Sequence, residues 1–504
     1  MSLLGIDVGT SGCKVISFSE TGQVIASAYR EYDVIRPRPG WAELDANAIW
    51  ETVKKTIGIV ARETRDDPIK ALSVSSMGEA VIPVTEDRRI LGPSILMEDI
   101  RGSEYLEALG GALKPERLYA VNGNTLGNHY TLTKLLWMRD HCPEVYAKTY
   151  KFLHWSGFVS FMLGGEAAVD YSLANRTLLF DIHQATWSAE LLQAAGLDAD
   201  KLPKPVPSGT VVGRVDPHVA QELGLPSKVL IAAGAHDQCA NALGCGATEE
   251  GQAMLGMGTY LCIAPVYRQS PAPALMLPRG LNTEHHSVPG LFVSFIYNQG
   301  GSLLKWYRDT FARVEREAAL SEGSDIYSKL LSEMPEGPSS VMVLPHFAAT
   351  GPPEFITESR GVIAGLRLDT TRGEIAKAIL EGAAFYLREC VETLPGAGIK
   401  IDSFRVVGGG SKSDAWVQLS ADVFGKPHIR PKQTEAGALG AAILAGVGVG
   451  VYRTHQQGAE AVVRLDRAFE PQSGQRSKYN SRFALYQTMW PTMRSYLKAL
   501  ATCC

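Results

Sequence analysis

The first residues able to do chemistry lie at the amino end of the chain, where Asp7 is followed by the turn Gly9 to Gly12. Apolar residues on both sides predict a β-hairpin whose tip is built from small residues. Backbone N–H groups at such a tip can converge on an anion, and Thr10, Ser11 and Lys14 add two hydroxyls and a cation. Asp7 would repel a phosphate unless a cation lay between them. The hairpin therefore predicts a magnesium-phosphate site, although ordinary hairpins also contain Asp-x-Gly-Thr.

A second Gly-Thr turn lies halfway along the chain, at Gly258 and Thr259 between two apolar strands. The strand and helix patterns after it repeat the order seen after the first hairpin, which indicates two related α/β domains facing one cleft. Near the carboxyl end, the strand Phe404 to Val407 runs into three glycines, 408–410, and then into a helix. This junction suits a phosphate or flat ring close to the backbone, and it equally suits a tight helix entry.

The composition limits the partners of these elements. With 504 residues, of which 45% are hydrophobic and 20% charged, the chain is long enough for two domains with sizeable cores. A net charge of −4 and a pI near 6.3 argue against a nucleic-acid or anionic-membrane partner and favour a small molecule. We find no signal-peptide pattern and no apolar run long enough to cross a bilayer, so we expect a cytoplasmic location. The eight cysteines form no Cys-x-x-Cys pair, which predicts neither a disulfide framework nor a zinc site.

The elements that position the first hairpin follow it directly in a β-β-β-α-β pattern. A helix is predicted from Ala46 to Arg62, with Asp45 as its N-cap and apolar residues along one face. Beyond the next strand, Val81 to Thr85 is predicted to pair with Ile90 to Leu96 across a polar turn.

The later elements carry two further features. Residues 114–200 are predicted to be mostly helical, and a strand from Val229 to Ala233 leads into Gly-Ala-His-Asp-Gln at 234–238. The uncharged run 436–451 contains five glycines and predicts a tightly packed helix followed by a turn.

Taken in order, these motifs resemble those of the FGGY carbohydrate kinases, a branch of the actin, hexokinase and heat-shock ATPase superfamily. The resemblance covers nearly the whole chain and depends on the order and spacing of the motifs. The matching motifs are Gly5–Ser11 with Lys14, Pro39–Glu43, Gly234–Gln238, Gly258–Thr259, Gly301–Ser302, Arg360–Val362, Glu381–Phe385, Gly408–Ser413 and Glu435–Ala441.

The resemblance implies an α/β fold of two ribonuclease-H-like domains with a cleft between them. It implies a sugar-binding domain at 1–246, a nucleotide-binding domain at 247–504, and transfer of the γ-phosphoryl group of ATP, with Mg2+, to a hydroxyl of a sugar or polyol. Asp237 matches the general base, and Asp7 and Asp237 match the acids associated with the metal. An aligned carboxylate typically contributes about 10²–10⁴-fold by taking the proton of an alcohol. A helix N-cap is the structural alternative for Asp237, and His236 is expected to be a neutral packing residue.

The resemblance also implies which residues bind the nucleotide and the sugar. The residues matched to the two phosphate turns and to the nucleotide side of the cleft are Thr10, Ser11, Lys14, Gly258, Thr259, Gly301, Gly409, Gly410 and Ser413. The residues matched to the sugar side are Met77, Gly78, Glu79, Asp99, Arg101, Asn298 and again Asp237.

The sugar-side residues give the only indication of substrate. Xylulose kinases carry Met-His-Gly at the first position and Trp-Asn-Asp-x-Arg at the second, and this chain keeps Met77, Asp99 and Arg101 of those patterns. Glycerol kinases carry Arg-Glu at the first position, of which this chain has Glu79. The resemblance therefore favours a xylulose-type ketopentose, with L-xylulose, ribulose, glycerol and gluconate as alternatives.

Two other classes of function remain open at this point. One is a non-catalytic member of the superfamily that binds nucleotide and reports sugar, and the presence of both Asp7 and Asp237 disfavours it. The other is an actin-like assembly protein, which the helical insert at 114–200 disfavours. A homodimer is expected only because two-fold dimers are the commonest oligomers.

Overall fold

A computed structural model of the chain describes residues 1–502, and its two large β-sheets share one strand order. In each sheet, a central strand pairs antiparallel with the strand that follows it in the chain and parallel with a later strand. The first sheet runs, in spatial order, Val211–Arg214, Leu230–His236, Ile69–Ser76, Ser2–Val8, Gly12–Ser19 and Val24–Glu31. The second runs Glu284–His285, Phe292–Val293, Tyr260–Tyr267, Gly251–Met257, Ile401–Val407, His428–Pro431 and Leu465–Phe469, with Ile296–Gln299 also pairing Tyr260–Tyr267. The predicted internal repeat is therefore confirmed.

The first half of the chain is rich in short helices, several of which form the insert beside the first sheet. The predicted helix after the third strand is confirmed, and its N-cap Asp45 accepts hydrogen bonds from two backbone N–H groups. The α-helices up to residue 244 are Ala46–Glu63, Leu106–Ala112, Pro115–Asn122, Thr131–His141, Pro143–Lys148, Trp155–Met162, Tyr171–Asn175, Ala189–Ala195, Pro217–Leu223 and Asp237–Gly244.

The helices of the second half include the longest one, which begins with a capping box at Thr371 and Glu374. The α-helices after residue 244 are Pro273–Met276, Gly301–Phe311, Arg313–Glu322, Ile326–Ser332, Arg372–Thr393, Asp414–Phe424, Ala436–Gly448, His455–Val462, Ser473–Tyr486 and Met489–Thr502. Within residues 1–502, no helix is both long and apolar enough to span a bilayer. The six cysteines of these residues form no disulfide bonds.

One predicted strand pairing is wrong. The strand Val81–Val84 pairs with Lys151–His154, and Ser94–Ile95 pairs with Glu43–Leu44. In place of the predicted hairpin between these two segments, the structure has an isolated β-bridge between Val84 and Ile90. A short apolar run shows that a segment is a strand but does not select its partner, and here a distant segment supplies it. The other two-stranded pairs are Ala168–Asp170 with Lys204–Val206, Phe180–Asp181 with Thr186–Trp187, and Met342–Leu344 with Val362–Ala364.

Two helices pack against each other between the two sheets. The helices Asp237–Gly244 and Ala436–Gly448 share a buried cluster with residues of both sheets, including Phe18 and Met254. An added Cβ on Gly440 would overlap with the carbonyl oxygen of Ala240, so these helices approach backbone to backbone. The glycine-rich run thus forms the tightly packed helix that the sequence predicts, and the packing holds the helix that begins with Asp237 between the two sheets.

Candidate active site

The first hairpin has the predicted geometry. The strand Ser2–Val8 ends next to a turn in which the Gly9 N–H donates to the Gly12 carbonyl over 2.9 Å. Thr10 and Ser11 are exposed at the tip. Lys14 lies on the following strand, and its Nζ donates to Glu435 Oε2 over 2.6 Å. The hydroxyls of the turn therefore face solvent, while the lysine is held by an acid from the far end of the chain.

Asp7 lies close to Asp237 although the two belong to distant segments. Burial, and then the negative charge of Asp237, raise the pKa of Asp7 to about 7. The Ser75 hydroxyl donates to Asp7 Oδ1 over 2.8 Å. A Cβ added to Gly437 would lie 2.9 Å from Asp7 Oδ2, so the glycine-rich helix leaves room for this carboxylate. Two like charges thus share one largely enclosed site.

Asp237 is the first residue of the helix Asp237–Gly244, directly after the strand that ends at His236. Burial raises the pKa of Asp237, and the neighbouring His236 opposes that shift. His236 Nε2 lies 3.2 Å from Asp237 Oδ1, and Nδ1 lies 2.8 Å from Glu284 Oε1. Burial lowers the pKa of His236, but the two carboxylates outweigh it and bring it to about 8. The prediction of a neutral packing histidine is therefore wrong.

The sugar-side residues after the strand Ile69–Ser76 include one buried ion pair. Arg176 Nε donates to Glu79 Oε1 over 2.9 Å, and the Arg176 guanidinium lies 4.8 Å from the centroid of the Tyr130 ring. Burial would raise the pKa of Glu79, but Arg176 outweighs it and holds the pKa at about 2. Met77 is buried beside them, and a Cβ on Gly78 would lie 3.2 Å from His236 Nε2. Met77, Gly78 and Glu79 thus lie beside the Asp237 region.

Asp99 and Arg101 form a separate buried network. Asp99 Oδ1 accepts from Arg101 Nε over 2.9 Å, and Asp99 Oδ2 accepts from the Ala42 N–H over 2.6 Å. Arg101 also donates to Glu43 over 2.9 Å and stacks 4.0 Å from the centroid of Trp41. These contacts join the Pro39–Glu43 motif to the segment that carries Asp99. The sugar-binding role of the two residues stays a prediction.

Asn298 lies on the opposite face of its strand from the sugar-side residues. It is fully buried, shares a strand face with the core residue Ile296, and its two amide atoms have no hydrogen-bond partner within residues 1–502. The neighbouring Tyr297 instead lies near Arg176 and Glu79, and burial raises its pKa to about 12. The sugar-binding role of Asn298 also stays a prediction, with Tyr297 as the better placed side chain.

All six nucleotide residues expected from the second half line one cavity of about 560 Å³. The Gly258-Thr259 turn lies against the start of the helix Gly301–Phe311. The Gly301 N–H donates to the Gly258 carbonyl over 2.9 Å, and the Ser302 N–H donates to the Thr259 carbonyl over 3.0 Å. Ser413 caps the helix Asp414–Phe424 by accepting from the Trp416 N–H. The six residues are Gly258, Thr259, Gly301, Gly409, Gly410 and Ser413, and the cavity also contacts Ser302, Lys305, Tyr327, Lys412 and Trp416.

Sequence reasoning missed Arg176 and Glu284 at the sugar side. Arg176 follows a five-residue helix and matches no motif, and Glu284 stands on a two-residue strand. Neither residue stands in a local spacing that indicates chemistry. Arg176 contacts acids about 100 positions away in the chain, and Glu284 contacts a histidine of the other sheet. Only the fold brings them to the site.

A repeated mixed sheet, paired Gly-Thr turns and two facing carboxylates define a two-domain phosphotransferase of the actin and hexokinase type. The chain belongs to the FGGY family of carbohydrate kinases, because its residues 2–244 match the N-terminal domain of that family and residues 265–449 match the C-terminal domain. The predicted family and fold class are therefore confirmed.

The relatives carry more than one substrate name. A xylulose kinase of Staphylococcus epidermidis is 29% identical over 99% of this chain and 98% of its own length. A glycerol kinase of Symbiobacterium thermophilum is 30% identical over 93% of this chain and 94% of its own length. The crystal structure of a xylulose kinase from Rhodospirillum rubrum superimposes with a TM-score of 0.86 and 26% identity, covering 99% of this chain and 100% of that chain.

Proposed function

We propose that this carbohydrate kinase transfers the γ-phosphoryl group of ATP to a hydroxyl of xylulose or a related ketopentose. The observation that carries the proposal is the approach of the half-buried carboxylates Asp7 and Asp237 between the sugar-side residues and the phosphate hairpin. We assign residues 1–246 to the sugar and 247–504 to the nucleotide. Glu79, Arg176 and Asp237 all come from the first segment, and every residue lining the 560 Å³ cavity comes from the second.

Asp237 takes the proton of the acceptor hydroxyl. A carboxylate at the start of a helix is well placed for this step, because the helix dipole favours its ionised form while burial raises its pKa. A purely structural N-cap role for Asp237 is disfavoured. The N-cap residue of this helix is His236, and Asp237 is the first residue inside the helix.

The phosphates bind at the two turns. Thr10 and Ser11 donate hydroxyls, Lys14 donates its ammonium, and Gly258 and Thr259 offer the second turn. Mg2+ fits beside Asp7 and Asp237, because the like charges that raise the pKa of Asp7 call for a cation. When bound, the ion neutralises charge on the phosphate oxygens. Gly301, Gly409, Gly410 and Ser413 hold the remainder of the nucleotide in the cavity.

A neutral sugar suits the pocket better than a sugar acid. The Arg176 guanidinium is already paired with Glu79, and its Nη1 lies 3.3 Å from Glu284 Oε2. The acids Glu79, Glu284 and Asp237 outnumber the cations Arg176 and His236, so a substrate carboxylate would meet net negative charge. This arrangement disfavours gluconate and leaves ketopentoses and polyols.

Glycerol is the second candidate because of the same ion pair. Arg176, which directly follows the helix Tyr171–Asn175, supplies a guanidinium beside Glu79, where glycerol kinases carry Arg-Glu in sequence. The insert residue Tyr130 stacks on that guanidinium. A three-carbon polyol would therefore meet an acid, a guanidinium and an aromatic ring at one end of the site.

A coupled assay of ADP release tests the substrate. The assay contains ATP, Mg2+ and, in separate reactions, D-xylulose, L-xylulose, D-ribulose, glycerol or gluconate. We expect the highest kcat/KM with a ketopentose and the lowest with gluconate. A highest value with glycerol would select the second candidate, and an ADP release rate unchanged by every sugar would contradict the kinase assignment.

We further propose a cytoplasmic location, where ATP is supplied, and a homodimer. The first is supported by the dependence of the reaction on ATP, and the second by the general frequency of two-fold dimers.

A further inference from the structure

Glu284 is a fully buried carboxylate that connects the second sheet to the catalytic region. It lies on the strand Glu284–His285 of the second sheet, and its side chain is inaccessible to solvent. Both of its oxygens contact groups from the first half of the chain: Oε1 accepts from His236 Nδ1 over 2.8 Å, and Oε2 accepts from Arg176 Nη1 over 3.3 Å. One acid therefore holds two cationic side chains that belong to the other sheet and its insert.

Each of these two side chains leads to a carboxylate at the site. His236 Nε2 lies 3.2 Å from Asp237 Oδ1, and Arg176 Nε donates to Glu79 Oε1 over 2.9 Å. Glu284 is thus the common end of two chains of contacts, one reaching the proposed base and the other reaching the sugar-side acid.

The His236 ring has little freedom to leave this arrangement. Its two nitrogens face Glu284 and Asp237, and the ring packs edge to face on Phe295 with centroids 5.3 Å apart. On the remaining side the ring lies close to Gly78, where an added Cβ would come within 3.2 Å of Nε2. A ring fixed at both ends fixes the direction of the carboxylate that it touches.

We propose that Glu284 is a positioning residue for the reaction, which orients Asp237 through His236 and Glu79 through Arg176. The inference rests on the proposed role of Asp237 as the base. Displacing a reacting group by about 1 Å can cost on the order of 100-fold in rate, so the loss of the far anchor should be visible in turnover.

A bound cation is a poorer explanation of the same cluster. His236, Cys239 and Glu284 place three donor atoms within 4.8 Å of one another. However, the hydrogen bond from His236 Nδ1 to Glu284 occupies the donor atoms that a metal would need, and the buried Arg176 guanidinium would repel a cation at Glu284 Oε2. The contacts favour a network that orients side chains.

The test is a double-mutant cycle on the full chain. Glu284→Gln keeps the shape of the side chain but turns an N–H2 group toward one of the two donors, so we expect kcat to fall about 10- to 100-fold. The KM for the sugar should rise and the KM for ATP should stay unchanged. His236→Gln should lower kcat alone, and the double variant should lose no more than the worse single variant, because both changes break the same chain of contacts.

Glu381→Gln is the matched control. Glu381 is equally buried and lies on the helix Arg372–Thr393, where it accepts from the Ser339 N–H and the Tyr479 hydroxyl, neither of which is a sugar-side or cavity residue. We expect wild-type kcat and wild-type KM for the sugar in this variant. Binding of ADP and the melting temperature of each variant report whether it has folded.

The outcomes separate this inference from the proposed function. Wild-type kcat and sugar KM in folded Glu284→Gln, or fully additive losses in the double variant, would overturn the positioning role. If Glu284→Gln does not fold, His236→Gln decides, and unchanged kcat in it would overturn the role as well. Failure of the base assignment is recognised separately, by normal turnover in Asp237→Asn whatever Glu284→Gln does.

Discussion

The cavity that we assign to the nucleotide includes a glycine, Gly409, whose missing side chain leaves room for a ligand. An added Cβ on Gly409 has no heavy atom within 4 Å, and Gly409 lines the cavity. We therefore predict that Gly409→Val folds normally but raises the KM for ATP about 10-fold or more, which corresponds to a loss of about 1.4 kcal/mol of binding. Steady-state kinetics with varied ATP and saturating sugar check this prediction, and the KM for the sugar should not change.

Gly337→Val provides the control for this residue. Gly337 also has no atom within 4 Å of an added Cβ, but it lies in a loop outside the cavity. It should keep wild-type KM for both substrates. An unchanged KM for ATP in Gly409→Val would contradict the nucleotide assignment of the cavity.

Residue types and spacing were sufficient for one part of the site and insufficient for another. The two turns and the acids at 7 and 237 are local motifs, and the fold brings the six cavity residues together as their order indicates. The Glu79, Arg176 and Glu284 cluster depends on contacts between segments far apart in the chain. No periodicity or spacing encodes such contacts, and for the same reason sequence reasoning misjudged the charge of His236.

At the scale of elements, the packing of two helices depends on glycines. Gly440 lies where the helix Ala436–Gly448 meets the helix that begins with Asp237, and a Cβ there would overlap with the Ala240 carbonyl oxygen. We predict that Gly440→Ala destabilises the protein by about 1–3 kcal/mol, because the backbones must separate. Urea denaturation measures the free energy of unfolding.

Gly474→Ala is the matched helical control. Gly474 lies in the helix Ser473–Tyr486 and has no atom within 4 Å of an added Cβ. Alanine should leave stability unchanged or raise it by up to about 1 kcal/mol, since it favours helix more than glycine does. Equal stabilities of Gly440→Ala and Gly474→Ala would contradict the close helix packing.

Element types could be predicted better than element partners. The first helix and the glycine-rich helix at 436–448 follow their patterns within a few residues, because their periodicity and caps are local. The strand Val81–Val84 was assigned the wrong neighbour, since its partner Lys151–His154 comes from the helical insert. The order of strands within a sheet could be predicted from the sequence only where the chain repeats itself, at the two Gly-Thr turns.

At the scale of the whole molecule, the proposal places most of the sugar-side residues in the first segment and the cavity assigned to the nucleotide in the second. The cavity residues follow position 256, whereas Glu79, Arg176 and Asp237 precede position 246. Phosphoryl transfer requires these groups to meet and water to be excluded, so we predict that the cleft narrows when both ligands are bound. Small-angle scattering should show a smaller radius of gyration with ADP and sugar together than without ligand. An unchanged radius at saturating concentrations would count against closure.

The central claim is that Asp237 takes the proton from the sugar hydroxyl, and replacing its carboxylate by an amide tests this most directly. Sugar-dependent ADP release by Asp237→Asn, measured with the best substrate of the panel, should fall by about 10²–10⁴-fold. The melting temperature and ADP affinity should remain those of the wild-type protein, because asparagine keeps the shape of the side chain at the helix start. Turnover close to that of the wild-type protein would contradict the account.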